Sequence, residues 1–317
     1  MREVLRRLVA GEITEDEALA EIRGIQLDEL AGRARLDLGR YLRRGVPEVV
    51  LASGKSPAEA ARLVVAMARR QGQGLISRMS AEHRGELRRA VAESGFSVTE
   101  QASSARVVRP GFEPERVGAK VGILTAGTSD VPVAEEARQV IEACGVEVRL
   151  EADLGVAGLH RFVAPLAAML EWGADVIIVA AGMDGVLPGL VAGLTDVPVL
   201  GLPVSTGYGR GGAGEAALNT MLQSCSTGLV VVNIDNGVGA GAAAVLIASR
   251  VAQRRRRGRS TARAATTIAP PSNEMIQNRA KSRKNAAALR SEKASARTKI
   301  NAKTVMSSRG IPRRRRP

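Results

Sequence analysis

From residue 117 onward, short apolar segments alternate with helix-like segments, and this alternation constrains the fold more than any other feature. The apolar segments are continuous runs of Val, Ile and Leu, typical of strands covered on both faces. Strands alternating with helices predict an α/β fold with a doubly wound parallel sheet. We expect five strands in the order 2-1-3-4-5. The predicted strands are 121–124, 146–150, 176–180, 197–200 and 229–234, and the predicted helices are 133–143, 159–172, 187–194, 214–223 and 240–253.

The preceding segment, residues 1–114, predicts a separate small α/β N-terminal domain. Thr14, with Glu17 three residues later, matches a capping box at a helix start. Gly54-Lys55-Ser56 lacks the upstream glycine of a phosphate-binding P-loop, so we interpret it as a loop before a helix. The other expected elements are strands near 49–51, 75–76 and 96–98, helices over 57–70 and 81–93, and a linker over 103–114 that contains two prolines.

The net charge of +14 is unevenly distributed. From Val251 to the end there are twenty Lys and Arg against two acidic residues, a net +18, so the first 250 residues carry a net −4. Residues 254–317 are also poor in large apolar side chains, which predicts a disordered basic tail after a sheet domain over 115–253. The tail is either a solvated extension or an arm that contacts RNA or acidic surfaces without sequence specificity.

Cysteine use and the length of the apolar runs indicate the compartment. Two cysteines, Cys144 and Cys225, give no disulfide framework, so we expect a reducing, cytoplasmic setting. No basic-flanked apolar run resembles a signal peptide. The apolar segments are too short and too often interrupted by glycine to span a bilayer, so we expect no membrane association.

Four of the five predicted strands end in loops rich in glycine and in short polar side chains. Ligands of open parallel sheets bind outside the carboxyl ends of the strands, where the strand order reverses. The loop after the first strand also leads into a helix N-terminus, whose free N–H groups attract anions. We therefore expect a site for a phosphorylated or otherwise anionic ligand. The candidate substrate-binding residues are Gly127, Thr128, Ser129, Asp130, Ser205, Thr206, Gly207, Tyr208, Gly209, Arg210, Asn233, Asp235 and Asn236.

The loop after the fourth strand has glycines at 207, 209 and 212, close to a dinucleotide-binding pattern. It follows a late strand, however, and no acidic residue for a ribose accompanies it in a first βαβ unit. We interpret it either as a phosphate-contacting loop, with Arg210 as an anion contact, or as a flexible hinge.

A histidine and a cysteine are candidates for chemistry near these loops. His160 follows the second strand and is either a proton-transfer group or a structural cap. Cys144 lies at an apolar helix end and is interpreted as a small buried residue. Cys225 lies in a polar turn among hydroxyl residues but has no adjacent base, so it is either structural or a nucleophile.

Several segments resemble the aminoimidazole ribonucleotide (AIR) carboxylase and mutase family, which implies a flavodoxin-like, AIR carboxylase-like fold. These segments are Ala126-Gly-Thr-Ser-Asp130, His160-Arg161, Leu187-Pro-Gly-Leu190 and Val199-Leu-Gly-Leu-Pro-Val204. A further set resembles the LarB branch over about the first 250 residues. This set is Leu36-Asp37, Arg40, Gly45, Pro47-Glu48, Ser53-Gly-Lys55, Ala181-Gly-Met183, Pro203-Val-Ser-Thr-Gly-Tyr-Gly209, Ser224-Cys225 and Val232-Asn-Ile-Asp-Asn-Gly237.

The resemblance to LarB implies carboxylation of the pyridinium ring of nicotinic acid adenine dinucleotide, with release of AMP, as the first step of nickel-pincer nucleotide synthesis. Carbon dioxide or bicarbonate is the implied co-substrate. Cys225 matches the thiol that adds to the ring, and Asp184 matches a general-base position where the family usually has Glu. His160 is the third candidate catalytic residue. Mg²⁺ is implied for the anhydride step, with Asp130 or Asp235 as conceivable ligands.

The position of Cys225 before the last strand predicts that it lies away from the glycine loops. Either the segment 205–228 wraps back, or the cysteine reaches the site of a neighbouring subunit, so we expect a homo-oligomer with shared sites. Two alternatives stay open. One is an AIR carboxylase or mutase of purine biosynthesis, and the other is a nucleic-acid-binding protein that acts through its basic tail.

Overall fold

The structure, a computed structural model, describes residues 2–23, 27–30, 34–37 and 40–267. The chain divides into two units after Arg256, so the N-terminal segment and the large sheet belong to one unit. Among the described residues, no helix combines the length and the hydropathy needed to cross a lipid bilayer.

The chain begins with two helices, an antiparallel hairpin and a short helix. Thr14 and Glu17 form the predicted capping box, because the Glu17 N–H donates to Thr14 Oγ1 and the Thr14 N–H donates to Glu17 Oε2. The elements are α1 (Arg2–Val9), α2 (Glu15–Arg23), β1 (Leu27–Leu30), β2 (Ala34–Asp37) and α3 (Arg40–Arg44).

A four-stranded sheet follows, with strand order β3-β4-β6-β5. The pair β3–β4 is parallel and the other pairs are antiparallel. Helices α4 and α5 contribute Leu63, Val64 and Leu87 to its apolar core. The elements are β3 (Val49–Leu51), α4 (Pro57–Gln71), β4 (Gln73–Ser77), α5 (Ala81–Ser94), β5 (Ser97–Gln101) and β6 (Ser104–Val108).

Strand β6 corrects the predicted linker over 103–114. Ala105 and Val107 are buried, whereas Arg106 between them is half-buried. This two-residue alternation is the pattern of a strand, and it pairs β6 with both β4 and β5. Of the predicted linker, only residue 103 and residues 109–114 therefore lie outside strands.

The large sheet has five parallel strands in the order β8-β7-β9-β10-β11. Numbered within this sheet, the order is 2-1-3-4-5, so the predicted fold is confirmed. The strands are β7 (Lys120–Thr125), β8 (Glu147–Glu151), β9 (Val176–Ala181), β10 (Val199–Pro203) and β11 (Leu229–Val231), and the helices are α6 (Val131–Ala143), α7 (His160–Trp172), α8 (Leu187–Leu194), α9 (Glu215–Leu222) and α10 (Gly237–Thr267).

Helices cover both faces of this sheet. On one face Val121 and Ile123 pack with side chains of α6 and α10. On the other face Leu124 packs with side chains of α7, α8 and α9. Because both faces are buried, the central strands are apolar throughout, and all six residues of β9 are buried. This arrangement leaves the carboxyl edge of the sheet to its loops.

Helix α10 extends beyond the predicted end at residue 253, to Thr267. The Arg255 guanidinium lies 2.6 Å from the buried carboxylate of Asp175. That carboxylate also accepts the Lys120 N–H, 2.9 Å away, at the start of β7. The first arginines of the predicted tail are therefore part of the fold, while residues 268–317 lie outside the described residues.

Candidate functional site

The carboxylate of Asp130 joins three loops at the carboxyl edge of the large sheet. Its side chain is only 3% exposed. Oδ2 accepts the Gly127 N–H at 2.8 Å, and Oδ1 accepts the Gly182 N–H at 3.1 Å and the Thr206 hydroxyl at 2.8 Å. The loops after β7, β9 and β10 therefore converge as the sequence predicted, and this carboxylate holds them together.

Asp235 joins the loop after β11 to the loop after β10. Its N–H donates to the Pro203 carbonyl, and its Oδ1 accepts the Ser205 N–H, both at 2.9 Å. Asp235 has a φ of +54°, in the left-handed region that non-glycine residues rarely adopt. Backbone strain of this kind clusters at functional sites, where the surrounding contacts hold it.

Two glycines permit the close packing of these loops. A Cβ on Gly182 would lie 2.3 Å from Thr206 Oγ1, and one on Gly207 would lie 3.1 Å from the Met183 N. Met183 itself has a φ of +47°. The side chains of Met183 and Tyr208 are 49% and 80% exposed, so both apolar surfaces are open to a ligand.

The other predicted binding residues lie at the same edge of the sheet but differ in their exposure to solvent. The exposed ones are Thr128, Ser129, Ser205, Thr206, Gly209, Arg210 and Asn233. Asn236 is half-buried, and its Oδ1 accepts the Gly239 N–H at the start of α10. Asn233 Oδ1 accepts the adjacent Ile234 N–H. Both asparagines therefore shape the loop through their side-chain oxygens and keep their NH₂ groups as donors.

Cys225 lines a cavity of about 460 Å³ and its side chain is exposed. The cavity is lined by Gly185, Val186, Gly189, Leu190, Thr220, Gln223, Ser224, Cys225 and Ser226. The Ser226 hydroxyl donates to the Gly189 carbonyl at 2.7 Å, which fastens the cysteine segment to α8. The segment before β11 thus lies along α8, and its cavity reaches the residue that follows Asp184.

Asp184 and His160 are both exposed. Asp184 lies before α8, where its Oδ1 accepts the Val186 N–H at 3.4 Å. His160 is the first residue of α7, and the neighbouring Arg161 pairs with Asp153. His160 follows the edge strand β8 and Cys225 precedes the opposite edge strand β11. The sheet topology therefore places the two residues in connections next to opposite edge strands, which four strand spacings, roughly 19 Å, separate.

Three residues that sequence reasoning missed lie beside these loops: Ser77, Arg78 and Glu136. Glu136 is 5% exposed and accepts the Ser77 hydroxyl at 2.7 Å. Burial raises the pKa of Glu136, although the Ser77 hydrogen bond and the Arg78 charge partly oppose this. Arg78 follows the carboxyl end of β4, a position that could have indicated a site residue. Its hydrogen-bond acceptor, the carbonyl of Asp235, belongs to the large sheet domain, so only the structure reveals this contact.

The donors for a metal ion are limited. Among the described residues, no group of three or more His, Cys, Asp or Glu side chains could hold one. Both oxygens of Asp130 already accept protein hydrogen bonds, and Asp235 Oδ1 accepts another. The described side chains therefore do not form a metal cage, and Mg²⁺ stays a proposal as an ion that accompanies a phosphorylated substrate.

Comparisons with known proteins agree with this architecture. Residues 120–269 match the family model of AIR carboxylase, and residues 28–109 match that of the LarB/PurE-like N-terminal domain. The chain is 40% identical over 251 residues to the uncharacterized protein MJ0165 of Methanocaldococcus jannaschii, which covers 78% of this chain and 96% of that protein.

Two further comparisons are with a mutase and with a solved structure. N5-carboxyaminoimidazole ribonucleotide mutase of Thermotoga maritima is 30% identical over 131 residues, 40% of this chain and 74% of the mutase. A crystal structure of a Treponema denticola PurE2 variant aligns with a TM-score of 0.33 and 18% identity, over 50% of this chain and all of that one.

The fold and the loop cluster thus define a protein with an AIR carboxylase-type domain preceded by a second α/β domain. The chain belongs to the LarB/PurE-like family, a family of carboxylase and mutase type.

Proposed function

We propose that this protein carboxylates the pyridinium ring of nicotinic acid adenine dinucleotide and hydrolyses its phosphoanhydride to release AMP. The observation that supports this most is the exposed thiol of Cys225 in a cavity that reaches the loop after β9. Carboxylation of an aminoimidazole needs no thiol, because that ring is already electron-rich. Carboxylation of a pyridinium ring does, because the cation cannot attack carbon dioxide.

The thiol solves this problem by covalent catalysis. The thiolate of Cys225 adds to a ring carbon, and the resulting dihydropyridine has an enamine-like carbon that attacks carbon dioxide. A base then removes the proton from that carbon, the ring becomes aromatic again, and the C–S bond breaks to return the thiolate. In our proposal Asp184 or His160 accepts that proton.

The loops at the carboxyl edge bind the anionic parts of the substrate in this proposal. Hydroxyls of Ser129 and Ser205 and the guanidinium of Arg210 supply donors for phosphate oxygens. The Thr206 hydroxyl already donates to Asp130, so Thr206 offers its backbone N–H instead. The exposed faces of Met183 and Tyr208 supply apolar surface for a ring. The nucleophile for hydrolysis is water, and Mg²⁺ bound to the pyrophosphate of the substrate would offset its negative charge.

We further propose a homo-oligomer whose sites use residues of more than one subunit. This is supported by the separation of His160 and Cys225 at opposite edges of the sheet. It is also supported by exposed apolar side chains on or next to the outer helices and on the edge strand, namely Leu159, Val163, Leu194, Leu222 and Val230.

The test of the activity is incubation with nicotinic acid adenine dinucleotide, bicarbonate and Mg²⁺. Chromatography and mass spectrometry should show AMP and a second product, nicotinic acid mononucleotide with one added carboxylate. Cys225→Ser should abolish the product, whereas Cys144→Ala, the matched change at the buried cysteine, should retain it. Absence of both products with folded wild-type protein would refute the proposal.

Shared sites predict complementation between inactive variants. Where His160 is the proton acceptor and His160→Ala is inactive alone, Cys225→Ser and His160→Ala proteins should regain activity when they are unfolded together and refolded, because some sites then receive both native residues. Activity that never returns in the mixed oligomer would contradict sites built across subunits.

The runner-up is an enzyme that acts on an aminoimidazole ribonucleotide, and the mutases among the relatives favour it. It predicts interconversion of carboxylated aminoimidazole ribonucleotides by the wild type and by Cys225→Ser alike. The thiol dependence therefore separates the two proposals in a single pair of assays.

A further inference from the structure

The N-terminal sheet domain reaches the candidate site through one short turn. This turn, Ser77 to Ser80, joins β4 to α5. Arg78 in this turn has a φ of +57°, a conformation that costs any residue except glycine. Its guanidinium Nη2 donates to the backbone carbonyl of Asp235 at 3.0 Å. A strained residue of one domain thus binds a strained residue of the other.

The same turn is anchored on its other side. The Ser77 hydroxyl donates to the buried carboxylate of Glu136 on α6. Helix α10 begins next to Glu136, at Gly237. A Cβ on Gly237 would lie 2.3 Å from the Val133 carbonyl and 2.7 Å from Glu136 Cβ. The space is filled, so the turn has a defined position relative to the loop after β11.

Asp235 connects Arg78, through hydrogen bonds, to the loop that carries the predicted phosphate contacts. Arg78 fixes its carbonyl, the Pro203 carbonyl accepts its N–H, and its carboxylate accepts the Ser205 N–H. Ser205 begins the segment that contains Thr206, Gly207 and Tyr208. A displacement of Asp235 would therefore displace this segment.

We propose that Arg78 is a positioning residue for the candidate site, which holds Asp235 and, through Asp235, the substrate-binding loop after β10. The role of the N-terminal domain is then to hold in place the loop that binds the anionic part of the substrate. The kinetic part of its test rests on the proposed function, but the structural part does not.

Hydrogen exchange of the protein without substrate tests the positioning directly, because the Ser205 N–H is protected by Asp235. Arg78→Ala should speed exchange in peptides that cover 203–207 by about tenfold, the loss expected for one hydrogen bond from a charged donor. Arg78→Lys should restore part of the protection. The matched control is Arg84→Ala, since Arg84 also donates to a backbone carbonyl, that of Ala102, but within the N-terminal domain. It should leave 203–207 unchanged.

Arg78→Gly guards against a folding defect, because glycine removes the side chain and its guanidinium but adopts the left-handed φ without strain. It should reproduce the local increase seen with Arg78→Ala. Unchanged exchange at 203–207 in both variants, or an increase spread evenly over all peptides in both, would overturn the proposal.

With nicotinic acid adenine dinucleotide as substrate, Arg78→Ala should raise KM about tenfold and change kcat much less, because a loosened loop binds substrate poorly. A merely structural role would lower the active fraction, and hence kcat, without raising KM. If wild-type protein does not turn over this substrate, the proposed function fails, while hydrogen exchange still decides the role of Arg78.

Discussion

The substitution Asp130→Asn keeps the size of the buried side chain at the carboxyl edge but removes its charge. In the native protein its two oxygens accept three hydrogen bonds, from Gly127, Gly182 and Thr206. The amide of Asn has one oxygen and one NH₂ group. Its best orientation keeps the oxygen at the position that accepts two bonds, which turns the NH₂ group toward the Gly127 N–H.

The cost follows from these contacts. One hydrogen bond to a charged acceptor is lost and a donor then faces a donor, while the other two bonds weaken because the acceptor becomes neutral. We expect a loss of about 2 kcal/mol in the free energy of unfolding. For a unit of this size that lowers Tm by about 4–8 °C.

Differential scanning calorimetry measures this shift. The matched control is Asp184→Asn at the same edge, where the exposed carboxylate accepts one long bond of 3.4 Å, and its Tm should change by less than about 2 °C. A Tm for Asp130→Asn within about 1 °C of wild type would refute the conclusion that this carboxylate holds the loops together.

Three further predictions concern titration, thiol reactivity and the basic segment. Burial raises the pKa of Glu136 above its ordinary value of 4.5, so the wild type should lose stability as pH rises from about 4.5 through the folded pKa. Glu136→Gln should flatten this decline in urea unfolding between pH 4 and 7, and parallel curves would contradict it. Burial also raises the pKa of Cys144 to about 12, so native protein at pH 8 should expose one reactive thiol per chain, Cys225, and denatured protein two. Two fast thiols in native protein would be inconsistent with that burial. Truncation after residue 257 should keep the urea midpoint and abolish any RNA binding, whereas Arg255→Ala should cost about 1–2 kcal/mol, because its partner is buried although Arg255 is half-exposed. Equal midpoints for Arg255→Ala and wild type would show that the ion pair contributes nothing.

The sequence alone determined the large sheet, because a strand covered on both faces has to be apolar throughout. Residues 176–180 could therefore be assigned as a central strand, and the alternation with helices implied a parallel sheet, for which we expected the order 2-1-3-4-5. The same rule placed the loops after β7, β9 and β10 at one edge. Their convergence, with Gly182 and Gly207 at the contacts, follows from chain direction in a parallel sheet.

Short and exposed elements were harder to predict, because their patterns are local and weak. Strand β6 was interpreted as linker, since three alternating residues, Ala105 to Val107, do not distinguish a strand from an extended connection. The end of α10 was placed too early, because a run of arginines resembles a solvated tail until the buried partner of Arg255 is known.

Only the tertiary structure decided which distant residues meet. The sequence did not reveal that Cys225 lies along α8, nor that Asp130 is the common acceptor of three loops. The link from Arg78 to Asp235 spans 157 positions of the chain and joins two domains. Such contacts depend on how independently predictable elements pack together. Packing is set by the shapes of whole surfaces, and no local pattern of residues encodes it.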